Sequence, residues 1–127
     1  MFSCPYLYFD EYSNFYRATY SITINVRNHS LTLFKDNKVF KTYPVAVGKG
    51  STPTPNGVFR IINKQVNPGG PYGARWMGLS VKGVGIHGTD TPDLIGKPVS
   101  HGCIRMYNKD VIELFNLVSV GTIVKII

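Results

Sequence analysis

Cysteine, acidic side chains and long apolar runs are all scarce in this chain of 127 residues. Two cysteines are too few for the disulfide framework that holds many small secreted proteins together. No apolar run approaches the roughly 18 residues that a membrane-spanning helix needs. No internal repeat or low-complexity tract divides the sequence, and its length is that of one common domain. These features predict a single soluble domain with one hydrophobic core.

Seven acidic residues stand against fourteen lysines and arginines, which gives a formal net charge of +7. Such a surplus favours an anionic partner, such as nucleic acid or the polymer of a bacterial wall. The basic residues are scattered singly, however, and form none of the runs typical of nucleic-acid-binding tails. We therefore expect no nucleic-acid partner.

The first twenty residues hold eight of the sixteen aromatic side chains. They lack the basic, apolar and small-residue regions of a signal peptide. Because aromatic side chains are usually buried, we interpret residues 1–20 as an accessory arm packed on the domain. An aromatic surface that binds sugar or peptide is the alternative. Cys4 in this arm has no supporting residues around it, and we interpret it as structural or incidental.

Several segments carry the patterns of β-strands and of the turns between them. Apolar and polar residues alternate from Ile22 to Arg27, as in a half-buried strand. A turn is predicted at 36–38, and the Pro- and Gly-rich segment 48–57 reads as a loop. Further strands are predicted at 39–47, 58–62, 79–81, 84–86 and, packed on both faces, 122–127.

One helix is expected near the end of the chain. Asn108 is predicted as its N-cap, and Asp110 lies in the first turn, where a carboxylate favours the helix dipole. Apolar residues then recur at helical spacing, at Val111, Leu114, Phe115 and Val118. The sequence therefore predicts a mainly β domain with one short helix from about Asn108 to Val118.

Three side chains that enzymes often use for catalysis, His87, His101 and Cys103, lie close together in the sequence. A thiol with a pKa near about 8.5 is mostly protonated at neutral pH, so a nucleophilic cysteine needs an imidazole or a cation beside it. His101 is so near Cys103 in the chain that proton transfer between them has little freedom. His87 follows a strand and can approach the sulfur from a neighbouring strand. We therefore predict His87 as the general base and Cys103 as the nucleophile.

The residues around this pair suit acyl transfer. Gly102 allows its own N–H and that of Cys103 to face a substrate carbonyl, as an oxyanion hole requires. No carboxylate is an obvious partner for the base, and the backbone carbonyl of Gly88 can orient His87 instead. Arg105 shares a face with Cys103 on an extended chain and can bind a substrate carboxylate. The pattern predicts acyl transfer through a thioester.

Two other interpretations stay open on these residues alone. A single cysteine is most often a small buried apolar residue without chemistry. His87, His101 and Cys103 are also suitable zinc ligands, but a fourth protein ligand and the Cys-x-x-Cys spacing of structural sites are missing. We therefore expect neither a metal nor another cofactor.

The run SHGCIRM at 100–106, with IHGT at 86–89 upstream, resembles the signature of YkuD-type L,D-transpeptidases. VAVGKGSTPTPNGVF at 45–59 and GPYGARWMGLS at 70–80 are similar to further parts of that family's pattern. The resemblance covers about residues 21–127. It predicts an L,D-transpeptidase catalytic domain over that range, preceded by the aromatic-rich arm.

The resemblance implies a β-sandwich of the L,D-transpeptidase catalytic-domain type with one short α-helix, and an enzyme of bacterial peptidoglycan. Such enzymes attack the tetrapeptide stem before its terminal D-Ala, release D-Ala and form a thioester on their cysteine. An amine from a neighbouring stem then forms a 3→3 cross-link. An L,D-carboxypeptidase, with water as the acceptor, and a non-catalytic peptidoglycan-binding module are the alternatives.

The same resemblance assigns roles to individual positions. It implies that Cys103 is the nucleophile, that His87 is the general base and that the carbonyl of Gly88 orients this base. It also implies that the backbone of His101, Gly102 and Cys103 forms the oxyanion hole. It implies substrate contacts for Ser100 and Arg105. Tyr72 and Trp76 are implied to contact substrate from a flexible cover over the groove.

The implied partners are peptidoglycan stem peptides, with carbapenem β-lactams as inhibitors that acylate the same sulfur. We expect a monomer without a membrane span. The implied location is the cell wall or another extracytoplasmic site, including a spore-associated one, although the sequence shows no export signal.

Overall fold

The computed structural model describes residues 7–8 and 16–127, with side chains from Ala18 onward. Cys4 and most of the predicted arm 1–20 lie outside the described residues. The interpretations of the arm and of this cysteine therefore stay predictions.

The described part of the chain forms eleven strands and one α-helix, with short 3-10 turns at Gly70–Tyr72 and Pro92–Leu94. A two-stranded antiparallel pair, β1 with β2, stands apart from the main sheet. In chain order, the strands and the helix are β1 (Leu7–Tyr8), β2 (Tyr16–Arg17), β3 (Tyr20–Asn25), β4 (Ser30–Lys35), β5 (Lys38–Gly48), β6 (Gly57–Val66), β7 (Arg75–Leu79), β8 (Gly85–His87), β9 (Pro98–Ser100), β10 (Ile104–Met106), α1 (Asn108–Leu117) and β11 (Ile123–Ile126).

The main sheet closes on itself into a barrel-like layer. Its strand order is β10-β8-β7-β6-β11-β3-β4-β5-β9, and β10 also pairs with β5. Because β10 joins β8 on one side and β5 on the other, the inward faces of these strands enclose a common core. The mainly β class with one short helix is confirmed, and the chain folds like L,D-transpeptidase catalytic domains.

The predicted alternation in the first long strand is confirmed in β3. Ile22 and Ile24 are buried, while the residues between them face outward. The predicted turn between β4 and β5 is also present, with positive φ angles of 51° at Asp36 and 66° at Asn37. Asp and Asn tolerate this conformation better than most residues, which explains their place in a tight hairpin.

The apolar core lies between the sheet and α1. Side chains from β3, β4, β5, β7, β8, β10 and β11 meet those of the helix in one buried cluster. Val111 and Leu114 on the helix are fully buried. Lys64 on β6 caps the C-terminal end of the helix, since its Nζ donates to the carbonyls of Phe115 and Val118 at 2.7 Å each.

Three details of the predicted secondary structure are wrong. The strand predicted at 79–81 instead occupies Arg75–Leu79 and ends before Val81. Asn108 is the first residue of α1, not its N-cap, and Tyr107 precedes the helix. The Asn108 side chain turns to a neighbouring loop instead of to the helix backbone. The last strand is packed on one face only, because Ile123 is 40% exposed while Val124 is fully buried. β11 lies between β3 and β6 in a sheet whose outer face meets solvent.

No α-helix in the described residues has both the length and the apolar character needed to cross a membrane. The single helix, α1, has ten residues and an exposed polar face.

Candidate active site

His87 and Cys103 lie on adjacent segments, because β8 ends at His87 and its parallel neighbour β10 begins directly after Cys103. Their register pairs His87 directly with Arg105, and Cys103 lies two residues before Arg105. Side chains on extended chain alternate between faces, so the thiol, the guanidinium and the imidazole share one face of the sheet. Cys103 is a free thiol and only partly buried. The predicted base is therefore buried at the end of β8, and the predicted nucleophile is partly exposed just before the neighbouring strand β10.

The thiol of Cys103 rests in its protonated form. Burial raises its pKa, and a backbone hydrogen bond from Gly85 together with the charge of Arg105 opposes that shift. Its Sγ lies 3.6 Å from the carbonyl oxygen of Gly83, a distance that suits a weak S–H donor. A nucleophilic role for this thiol therefore requires a base that removes its proton.

His87 is held as a neutral imidazole. Its Nδ1 lies 2.5 Å from the carbonyl oxygen of Gly88. A carbonyl can only accept, so Nδ1 carries the proton and Nε2 keeps its lone pair. Burial lowers the pKa of His87 to about 4; the hydrogen bond to Gly88 opposes this shift and the charge of Arg105 adds to it. The structure thus places the Gly88 carbonyl where the sequence predicted the orienting group.

Two aromatic side chains cover His87. Trp76 lies nearly parallel to the imidazole, with ring centroids 5.7 Å apart and 18° between planes. Tyr72 meets the imidazole edge-on at 5.1 Å. The indole is fixed by a 2.9 Å hydrogen bond from its Nε1 to Asn63. It lies so close over Gly85 that a Cβ there would be 2.5 Å from a ring carbon.

A groove opens beside the thiol. Its cavity of about 360 Å³ is lined by Ile62, Asn63, Trp76, Lys82 and Gly83, among others. Gly83 also carries the carbonyl that the thiol contacts. The groove therefore shares Gly83 with the thiol contact and Trp76 with the cover of His87, and its lining is partly apolar with one lysine.

Arg105 supplies a permanent positive charge at the site. It lies on β10, between His87 on β8 and Ala46 on β5. Its charge acts on both reactive groups, since it lowers the pKa of Cys103 and that of His87. Its partial exposure leaves the guanidinium able to meet a carboxylate.

Ser100 differs from its implied role as a substrate contact. It is 1% exposed, which leaves no surface for a substrate. Its Oγ donates to the Cys103 carbonyl at 2.6 Å and accepts from the Gly102 N–H at 3.1 Å. The hydroxyl therefore fixes the backbone of Gly102 and Cys103.

The same hydrogen bond corrects the predicted oxyanion hole. The N–H of Gly102 is already used by Ser100, so it does not face a substrate carbonyl in this structure. The N–H of Cys103 is the remaining donor of the two that the sequence predicted. Gly102 still has its predicted backbone freedom, with φ at 121°.

His101 is exposed, whereas its chain neighbour Ser100 is buried. Across the described residues, no three His, Cys, Asp or Glu side chains are grouped closely enough to hold a metal ion. The three candidate zinc ligands therefore do not converge in this fold.

Sequence reasoning missed Asn108, which ties the loop after His87 to the segment that carries the aromatic cover. Its Oδ1 accepts from Ala74 N–H at 3.0 Å and from Thr89 N–H at 3.2 Å, and its Nδ2 donates to Thr89 O at 3.0 Å. A Cβ on Gly88 would be 2.1 Å from that oxygen. The sequence did show an Asn at the start of the helix, but this position was interpreted as the N-cap of the helix and not as a contact to another loop.

Thr54 was also missed as a site residue, because it lies in the Pro-rich loop 48–57. Its buried hydroxyl donates to the carbonyl of Gly102 at 2.8 Å. Nothing in the local sequence says which distant group this threonine meets.

Comparison with known proteins gives consistent results. The family model described as the YkuD L,D-transpeptidase catalytic domain matches residues 19–126. YkuD of Bacillus subtilis (strain 168), which carries the name of an L,D-transpeptidase, is 57% identical over 111 residues. That match covers 87% of this chain and 68% of the relative, so the chain spans about two thirds of its length.

Solved structures agree. The catalytic domain of an Enterococcus faecium L,D-transpeptidase matches with a TM-score of 0.74 and 34% identity, over 85% of this chain and 96% of that one. LdtMt1, an L,D-transpeptidase solved in complex with imipenem, matches in fold with a TM-score of 0.75 and 22% identity, over 93% of this chain and 64% of that one. The chain belongs to the family of L,D-transpeptidase catalytic domains.

Proposed function

We propose that this chain is a cysteine acyltransferase that acts on peptidoglycan tetrapeptide stems, releases D-Ala through a thioester on Cys103 and forms 3→3 cross-links. The observation that supports the proposal most strongly is the parallel pairing of β8, which ends at the neutral imidazole of His87, with β10, which begins directly after the partly exposed thiol of Cys103. Membership of the L,D-transpeptidase family supports the acyltransferase class.

Acylation uses the two side chains in turn. Nε2 of His87 takes the proton of the Cys103 thiol as Sγ bonds to the carbonyl carbon of the third stem residue. The backbone N–H of Cys103 donates to the oxygen as it gains negative charge. The C–N bond to D-Ala then breaks, and the imidazolium returns the proton to the leaving amine. The products are a thioester and free D-Ala.

The second half of the reaction reverses these proton transfers. An acceptor amine from another stem attacks the thioester carbonyl while His87 removes a proton from its nitrogen. The C–S bond breaks, and the sulfur regains a proton from the imidazolium. A protein with a resting thiol and a neutral base is restored unchanged, as catalysis requires.

Substrate binding fits the charge and shape of the site. Arg105 is placed to hold a stem carboxylate next to the reacting thiol. The groove beside Gly83, with Trp76 on its wall, offers room for the peptide. The net charge of +7 suits an anionic wall.

Carbapenems are proposed as acylating inhibitors. LdtMt1, which shares the fold, was solved in complex with imipenem. In such a reaction Sγ of Cys103 attacks the β-lactam carbonyl, the ring C–N bond breaks, and the ring nitrogen takes the proton. The same donors serve this step as serve the stem peptide.

A peptidoglycan substrate also implies a location. We propose that the protein works at the cell wall or in another extracytoplasmic compartment. Fractionation of cells that produce the native protein checks this, and recovery only with the cytosol contradicts it.

The decisive experiment uses a disaccharide tetrapeptide and mass spectrometry. We expect a thioester on Cys103, release of D-Ala and cross-linked dimers. Release of D-Ala with tripeptides alone identifies an L,D-carboxypeptidase instead. A folded protein that binds the stem without forming a thioester or releasing D-Ala is a binding module, and that result overturns the proposal.

A further inference from the structure

The loop between β5 and β6 reaches beneath the segment that carries the nucleophile. Thr54 in this loop is 6% exposed, and its Oγ1 donates to the carbonyl oxygen of Gly102 at 2.8 Å. The Oγ1 of Thr54 also accepts a hydrogen bond from the backbone N–H of Gly48 at 2.9 Å. The hydroxyl therefore links the start of the loop to the residue just before the nucleophile.

This contact fixes one peptide plane. The carbonyl of Gly102 and the N–H of Cys103 belong to the same trans peptide, and they point in opposite directions. Because Thr54 holds the carbonyl on the buried side, the N–H is directed away from Thr54. Gly102 has a φ of 121°, a backbone conformation that residues other than glycine rarely adopt, and this allows the orientation of the peptide plane.

Neighbouring contacts leave the plane little freedom. On the two sides of this peptide, the Oγ of Ser100 accepts from the N–H of Gly102 and donates to the carbonyl of Cys103. Among the residues that the structure describes, Thr54 alone binds the carbonyl of the peptide between them. A loss of the Thr54 hydroxyl therefore frees the middle of the segment while its flanks stay held.

The loop is built tightly enough to act as a support. A Cβ on Gly48 would lie 2.2 Å from the Thr52 carbonyl oxygen and 2.5 Å from the Thr54 nitrogen. Thr52 also donates to the Ser100 carbonyl at 2.9 Å. Two threonines of one loop thus hold alternate carbonyls, those of Ser100 and Gly102, in the segment before Cys103.

We propose that Thr54 is a positioning residue that aims the backbone N–H of Cys103 at the substrate oxygen during thioester formation. The inference rests on the proposed function, since it concerns the oxyanion of that acyl transfer. Thr54 does not touch the substrate. It acts through the peptide between Gly102 and Cys103.

The role separates two reactions of the same sulfur. Acylation by imipenem develops negative charge on a carbonyl oxygen and needs an aimed N–H donor. Alkylation by iodoacetamide displaces iodide from a saturated carbon and forms no oxyanion. A positioning role therefore affects acylation but not alkylation, whereas a collapsed loop affects both.

The test compares Thr54→Val, which keeps the shape and loses the hydroxyl, with Thr54→Ser, which keeps it. We expect Thr54→Val to slow acylation by imipenem by as much as about 100- to 1,000-fold, the range for loss of an oxyanion donor. Its alkylation rate should stay at the wild-type value. Thr54→Ser should restore acylation to within about threefold of wild type, because its hydroxyl can make the same two hydrogen bonds.

Thr42→Val is the matched control, since Thr42 bonds only to Thr32 on the outer face of the sheet and should change neither rate. Equal acylation of Thr54→Val and wild type overturns the inference, as does a parallel fall in both rates. If Thr54→Val does not fold, Thr54→Ala decides by the same two rates.

The two proposals fail in different ways. A wild-type protein that reacts with imipenem but forms no thioester with the stem peptide contradicts the stem substrate and leaves Thr54 to its own test. A wild-type protein that is alkylated at Cys103 but acylated by neither reagent overturns both proposals.

Discussion

The indole of Trp76 lies almost parallel to the imidazole of His87, with 5.7 Å between ring centroids. The two residues are register partners on antiparallel strands, so the stacking is set by the sheet. The aromatic surface excludes water from the imidazole, and burial is the main cause of its low pKa. The stacked pair therefore controls whether the base is neutral.

Replacement of Trp76 tests this control. Trp76→Ala should raise the pKa of His87 from about 4 toward 6.5, because water regains access to the ring. The acid limb of the kcat/KM profile should move upward in pH by the same amount. Phe40→Ala, an exposed aromatic on the far part of β5, is the control that should leave the profile unchanged. An unshifted acid limb in Trp76→Ala contradicts the role.

The catalytic pair gives the largest expected effects. Cys103→Ala should form no covalent adduct with imipenem, because the attacking sulfur is gone. His87→Gln should retain the thiol but slow acylation by about 100- to 10,000-fold, the usual contribution of a general base. Adduct formation followed by intact-protein mass spectrometry measures both. Rapid acylation of His87→Gln would show that another group takes the proton.

Arg105 should tune the thiol through its charge. Because that charge lowers the pKa of Cys103, Arg105→Met should shift the alkylation profile of the thiol to higher pH. Arg105→Lys keeps the charge and should keep the profile, although it loses bidentate binding of a carboxylate. The pH dependence of iodoacetamide alkylation distinguishes the variants. Identical profiles for Met and Arg would rule out the electrostatic effect.

Folding stability should depend on pH through His87. Its folded pKa of about 4 lies below the unfolded value of 6.5, so the unfolded chain binds more protons between those values. The contribution of His87 to the free energy of unfolding is fully present above pH 6.5 and is lost as the pH falls toward 4. The pKa difference corresponds to about 3 kcal/mol.

Urea denaturation at pH 7 and pH 4.5 measures this linkage. Wild type should lose more free energy of unfolding between the two pH values than His87→Gln, which has no group that titrates there. An equal loss in both proteins would place the pH dependence elsewhere, for example in the carboxylates.

Asn108 should affect both stability and the base. Asn108→Ala leaves the N–H groups of Ala74 and Thr89 without their acceptor and should cost about 1–3 kcal/mol of folding free energy. Thr89 N–H and the Gly88 carbonyl share one peptide plane, so the tautomer of His87 should become less uniform. Asn108→Asp retains the acceptor and should be milder. Urea unfolding and ¹⁵N NMR of the imidazole measure the two effects.

Much of the fold was readable from local patterns. Alternation at Ile22 and Ile24 predicted β3, and Asp36 with Asn37 predicted the following hairpin turn, because side-chain period and backbone preference act within a few residues. The exposed face of β11 was not readable. A short apolar run looks the same whether one face or both faces are covered, and only the position of the strand in the sheet decides.

The site divides in the same way. The sequence by itself determined which residue types are present, and it indicated Cys103, His87 and the Gly88 carbonyl as a reactive group. Only the tertiary structure decided that Ser100 is buried, and that Thr54 and Asn108 hydrogen-bond the backbone beside Cys103 and His87. Those hydrogen bonds join groups 48 and 19 residues apart. They form only once the barrel-like sheet has closed, because local sequence preferences carry no information about partners so distant along the chain.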